Sequence, residues 1–96
     1  MNEVQSFIDV FKEPCGVDEI FSGRASYWFA AILFGRFIRQ GAEIMYSRTD
    51  KHFGTRIGGK IFDITGDVTR KHNWEAWSCI EDEELRRNVT REFIML

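Results

Sequence analysis

Two adjacent glycines, Gly58 and Gly59, constrain this chain more than any other feature. They sit between two strand-like runs, His52–Ile57 and Lys60–Thr65. A two-residue loop in a tight antiparallel hairpin adopts a type I′ turn, which needs positive φ at both central positions, and glycine supplies this without steric cost. With that loop fixed, Ile57 pairs with Lys60, Thr55 with Phe62, Gly54 with Asp63 and Phe53 with Ile64. Side chains alternate across a strand. Phe53, Thr55, Ile57, Phe62 and Ile64 therefore share one face, and His52, Gly54, Arg56, Ile61, Asp63 and Thr65 the other. His52 and Asp63 become diagonal neighbours. Gly54, opposite Asp63, has no side chain to separate them. A carboxylate held against an imidazole fixes its tautomer and raises its basicity.

Elsewhere the periodicity is helical. Asn2 and Gln5 have capping-box spacing, and Val4, Phe7, Ile8 and Phe11 form a stripe that Pro14 and Gly16 end. Val17–Phe21 is a short connector. A second helix starts at Ser22 or Ser26 and ends at Gly41. It is apolar almost all round from Tyr27 to Phe34, which predicts burial on most sides. Ala42–Ser47 reads as a strand, Arg48–Lys51 as a loop, and Thr65-Gly66-Asp67 closes the hairpin. Residues 69–77 show no period. Ser78 and Glu81 repeat the capping-box spacing before a C-terminal helix with Leu85, Val89 and Phe93 in line, acidic at its start and basic later, as a helix dipole favours. The expected fold is α+β. N-terminal, buried and C-terminal helices pack on a small three-stranded antiparallel sheet, in one domain covering residues 1–96.

The chain has 96 residues and a net charge of −2, with no lysine/arginine block, which gives no basis for nucleic-acid binding. The acidic, amphipathic N-terminus does not read as a signal peptide, and the longest apolar run, Tyr27–Phe34, is too short to span a bilayer. Cys15 and Cys79 form no CxxC and no disulfide framework, so the expectation is a soluble cytoplasmic protein. Each cysteine is expected in packing, although Cys79 lies at a predicted helix start. His52, Asp67, His72 and Cys79 are metal-type ligands, but their spacing fits no zinc pattern; no metal and no cofactor are expected.

Residues 22 to 68 resemble a family of small papain-like, transglutaminase-like proteins of bacteria and their phages. In that family a Gly-x-Cys-x-x-Phe-Ala stretch opens a buried helix, followed by a His-led strand and a Gly-x-aromatic-Asp-x-x-Gly strand. Here the stretches are Arg24-Ala25-Ser26-Tyr27-Trp28-Phe29-Ala30, His52-Phe53, and Gly59-Lys60-Ile61-Phe62-Asp63-Ile64-Thr65-Gly66. The resemblance implies a minimal papain-like domain. It also implies catalytic positions at Ser26, His52 and Asp63, with Ser26 where the family has its cysteine nucleophile. The preceding glycine is displaced, being Gly23 rather than residue 24. A serine hydroxyl ionises far less readily than a thiol, so it needs strong base assistance and an oxyanion hole.

Two functions follow. The first is a non-catalytic binding or inhibitor protein, phage-encoded and acting on a host or defence protein. It would use Trp74 and Trp77, which lie outside the resemblance, as partner-binding residues. The second is a hydrolase or acyltransferase with Ser26 as nucleophile, His52 as base and Asp63 as orienter; an engineered Cys→Ser change would leave the same sequence. Each residue also has an everyday role: a helix-capping hydroxyl for Ser26, a hairpin lock for His52 and Asp63, core aromatics for the tryptophans, and a solvated helix face for Glu81–Arg87. The first function is adopted.

Overall fold

The structure, a computed structural model, describes residues 3–13 and 25–94. The expected helix stop at Pro14 and Gly16, the connector Val17–Phe21, the capping roles of Asn2 and Ser22, and Cys15 lie outside them. Among the described residues there are three α-helices: α1 (Glu3–Phe11), α2 (Ser26–Arg36) and α3 (Glu83–Val89). The strands are β1 (Glu43–Ser47), β2 (His52–Ile57), β3 (Lys60–Asp63), β4 (Gly66–Asp67) and β5 (Glu75–Ala76). They form one antiparallel sheet in the order β4-β3-β2-β1-β5. The α+β class holds, but the sheet has five strands rather than three. The additional two are two-residue edge strands, too short to carry a sequence period.

The hairpin has the expected register at its turn, with Ile57 opposite Lys60 and Thr55 opposite Phe62. Gly58 and Gly59 have φ of 60° and 86°. The ladder stops sooner than the turn alone implies. The β2–β3 pairing ends at Thr55 and Phe62; Asp63 pairs instead with Gly66 of β4, and the chain turns through Ile64 and Thr65, so the expected Gly54–Asp63 and Phe53–Ile64 pairs are not part of the ladder. Ile64 is nevertheless buried on the expected face, beside Ile57 and Phe62.

All three helices cover one face of the sheet. Val4 and Ile8 of α1 and Phe29 and Leu33 of α2 pack on Ile57, Phe62 and Ile64. Farther along, Ala30, Tyr46, Phe53, Ile80, Val89 and Phe93 form a second cluster, which the π-type turn Thr90–Ile94 completes. The expected stripes face the core: Val4, Ile8, Val89 and Phe93 are buried, Phe7, Phe11 and Leu85 partly so, and Phe93 lies in the turn beyond α3. Helix α2 departs from expectation, because Trp28 and Ile32 are exposed on its outer side. It also ends at Arg36 rather than running to Gly41, which instead closes a short 3-10 turn, Ile38–Gln40, with φ of 78°. The C-terminal helix is capped by Asp82, whose carboxylate accepts from the Leu85 amide at 3.0 Å. Ser78 lies before it in a 3-10 turn, Trp77–Cys79.

The opposite face of the sheet carries no helix among the described residues. Its small cluster, Met45, Ile61 and Val68, is covered by Trp74 and Ala76 from the chain between β4 and β5. The Trp74 indole donates to the Val68 carbonyl at 3.1 Å and lies over Gly54. A Cβ on Gly54 would meet Ile61 Cγ2 and Trp74 Cη2 at 3.0 Å and the Phe62 carbonyl oxygen at 3.2 Å. The backbone contact cannot rotate away. Gly54→Ala is therefore expected to lower unfolding free energy by about 1–3 kcal/mol, the usual cost of overpacking, measured by urea denaturation. The same change at exposed Gly35, where nothing lies within 4 Å, is expected not to destabilise.

Candidate functional site

The site is built on the helix-free face, where β2 begins. His52 Nε2 and Asp63 Oδ2 are 2.8 Å apart, with both side chains about nine-tenths buried. This is the pair the hairpin register predicts. Asp63 has further partners: its Oδ1 accepts from the Thr65 amide at 2.8 Å and from the Thr65 hydroxyl at 2.5 Å. Burial by itself would raise the Asp63 pKa. The hydrogen bonds from His52 and Thr65 outweigh it, so the carboxyl stays below its ordinary value. With Asp63 ionised, the His52 Nε2 carries the proton and donates it to the carboxylate.

A second histidine–aspartate pair lies against the first. His72 Nδ1 is 2.6 Å from Asp50 Oδ2, and the His52 and His72 ring centres are 5.2 Å apart. Asp50 belongs to the β1–β2 loop, where its Oδ2 also accepts from the Ser47 hydroxyl at 3.3 Å. Its pKa lies below the usual aspartate range, chiefly through the His72 hydrogen bond. His72 comes from the irregular segment between β4 and β5. Trp74 stands edge-on to the His72 ring at 5.0 Å. Together Asp50, His52, Asp63, Thr65 and His72 line an open depression of about 320 Å³.

Ser26 is not part of this group. Phe53, Thr55 and Ile57 point from β2 toward α2: Phe53 meets the Tyr27 ring at 5.1 Å and the Thr55 hydroxyl donates to the Ala30 carbonyl at 2.9 Å. His52 and Gly54 point the other way, toward Trp74. Ser26, buried in the first turn of α2, lies on the helix side of the sheet. Its Oγ accepts the Phe53 amide hydrogen at 3.2 Å. No hydrogen bond joins Ser26 to His52 among the described residues. Nor does the hydroxyl cap its own helix; the N-cap is Ala25, without a side-chain bond. The structure thus brings His52 and Asp63 together, while Ser26 is bonded to the Phe53 backbone rather than to either of them.

The two tryptophans singled out for partner binding are both half-buried in internal contacts. Trp74 covers the Met45–Ile61–Val68 cluster. Trp77 packs on Tyr46 and Phe53 at 5.4 and 5.2 Å, with the Arg86 guanidinium 4.5 Å above its ring. Among the described residues, the aromatic that does face solvent is Trp28, 43% exposed. Cys79 is exposed rather than packed, and lies in the 3-10 turn instead of a helix start. No helix of the described residues is long and apolar enough to cross a membrane.

Sequence reasoning missed the Asp50–His72 pair. Its members are 22 positions apart and no local pattern links them. Comparison with protein-family models, curated proteins and solved structures gives no match to this chain.

An aspartate held below its unfolded pKa stabilises the fold at pH above that unfolded value, and the contribution is lost as pH falls through the lower folded value. For Asp63 the loss begins below the ordinary aspartate value of about 3.9. Asp63→Asn is therefore expected to flatten the fall in stability below about pH 4, measured by urea unfolding across a pH series. An unchanged acid limb would show that the His52 and Thr65 bonds contribute no pH-linked stability.

Proposed function

We propose that this chain is a non-catalytic protein-binding domain on a degenerate papain-like fold. The observation that carries this reading is the position of Ser26. A serine nucleophile needs a base within hydrogen-bond reach of its hydroxyl. Ser26 Oγ accepts a hydrogen bond from the Phe53 amide, and among the described residues no hydrogen bond joins it to the His52 ring, whose Nε2 is engaged by Asp63. In this reading the serine is a structural residue at the position of the family's nucleophile, and the His52–Asp63 pair is kept without it. A phage-encoded inhibitor of a host or defence protein is the finer form of the proposal; it rests on the family resemblance of residues 22–68 and on the small size of the chain.

The internal contacts of Trp74 and Trp77 move attention for partner binding to Trp28 on the outer side of α2. Tryptophan is over-represented among residues that dominate binding energy. A protein partner remains the expected ligand class.

A fluorophosphonate probe tests the central point. The folded protein at neutral pH is expected to take up no label. Labelling at Ser26 that disappears in His52→Ala would overturn the proposal in favour of a serine hydrolase or acyltransferase. Ser26→Ala, which strands the buried Phe53 amide, is expected to cost about 1–3 kcal/mol of stability by chemical denaturation.

A further inference from the structure

We infer that His52 and His72 together form a binding site for a divalent transition-metal ion of the zinc type, through His52 Nδ1 and His72 Nε2. The inference is independent of the proposed protein-binding role and rests on the helix-free face alone.

Each imidazole has one nitrogen committed and one left over. His52 uses Nε2 on Asp63 and His72 uses Nδ1 on Asp50. The remaining nitrogens, His52 Nδ1 and His72 Nε2, have no hydrogen-bond partner among the described residues. A neutral histidine that donates one N–H to a carboxylate presents the other nitrogen as a lone pair. This carboxylate–histidine arrangement is the usual outer support of a metal-ligating imidazole, because it fixes the tautomer and makes the ligand more basic. Here it occurs twice in one depression.

The spacing fits a shared ion. A zinc–imidazole bond is about 2.1 Å and a ring centre lies about 1.1 Å behind its nitrogen, so two imidazoles on one tetrahedral ion have centres about 5.2 Å apart. The His52 and His72 rings are 5.2 Å apart, with planes inclined by 40°. Charge is also suited to a cation. Two carboxylates, Asp63 and Asp50, are hydrogen-bonded directly to the two imidazoles. Imidazole with nearby carboxylate suits zinc, copper and nickel rather than magnesium or calcium. No third histidine, cysteine or carboxylate completes a ligand set among the described residues. The remaining positions therefore fall to water, for which the open depression of about 320 Å³ has room. The sequence spacing of His52 and His72 matches no zinc motif because one reaches the site from the start of β2 and the other from the irregular segment between β4 and β5.

The test is a Zn²⁺ titration of the full chain, followed by histidine ring ¹⁵N–¹H correlation NMR, which identifies the metallated nitrogen. Saturation at one equivalent is expected, with His52 Nδ1 and His72 Nε2 shifting together while His52 Nε2 and His72 Nδ1 stay protonated. His72→Ala is expected to weaken Zn²⁺ binding at least about tenfold. Asp50→Asn, which keeps both imidazoles and removes one support, is expected to weaken it about tenfold or more. Because His72 and Asp50 lie in loops, circular dichroism of these variants checks that the fold is kept. Histidine resonances that do not move with Zn²⁺ would overturn the inference. So would Zn²⁺ affinity unchanged by His72→Ala, which would place the ion elsewhere, for example at exposed Cys79.

Discussion

Strand β2 is the element on which the other parts of the molecule depend, because its two faces have different neighbours. It lies at the centre of the five-strand order, and its side chains alternate between the helices and the helix-free side. Phe53, Thr55 and Ile57 are buried under α2 and the C-terminal segment. His52 and Gly54 face Trp74. A register slip of one residue would exchange the two sets. It would turn a fully buried phenylalanine away from its aromatic cluster and strand the Thr55 hydroxyl away from the Ala30 carbonyl. The Gly58-Gly59 turn prevents this by fixing which residues of β2 and β3 face one another.

That division explains what could be read from the sequence. The hairpin register, the two faces and the approach of His52 to Asp63 all follow from a period of two acting over a dozen residues. The stripes on α1 and α3 are equally local, with a helical period. What could not be read depends on contacts between distant segments. β4 and β5 are two residues each and exist because β3 and β1 offer them edges. Trp74 is drawn inward because Gly54 leaves a space above the sheet, which nothing in the irregular stretch 69–77 reveals. The outer side of α2 is exposed although its composition is apolar nearly all round, since only the arrangement of neighbouring elements decides which sides are covered.

Ser26 illustrates a different limit. The order of serine on a helix, histidine on a strand and aspartate on the next strand is compatible with a catalytic group. Order along the chain does not say which side of a sheet each member occupies. Alternation on β2 assigns His52 to the side away from Phe53, and the helix that carries Ser26 packs on Phe53. In the structure Ser26 Oγ meets the Phe53 amide, one residue along from His52, and makes no hydrogen bond to the imidazole among the described residues.

The three residues also share a structural task. β3 leaves the ladder after Asp63, and the chain must turn through Ile64 and Thr65 with its backbone groups partly enclosed. From the helix side, Ser26 Oγ takes the Phe53 amide hydrogen where a strand carbonyl would otherwise serve. From the other side, Asp63 closes the turn by accepting from the Thr65 amide and hydroxyl, and braces it against His52. A typical hydrogen bond of this kind contributes about 0.5–1.5 kcal/mol net, whereas a buried group left without a partner costs about 1–3 kcal/mol. Ser26, His52 and Asp63 therefore gather around the open end of the hairpin because that is where the backbone and a buried carboxylate need partners. Each of the three side chains thereby supplies a hydrogen bond that the hairpin needs at this point in the fold.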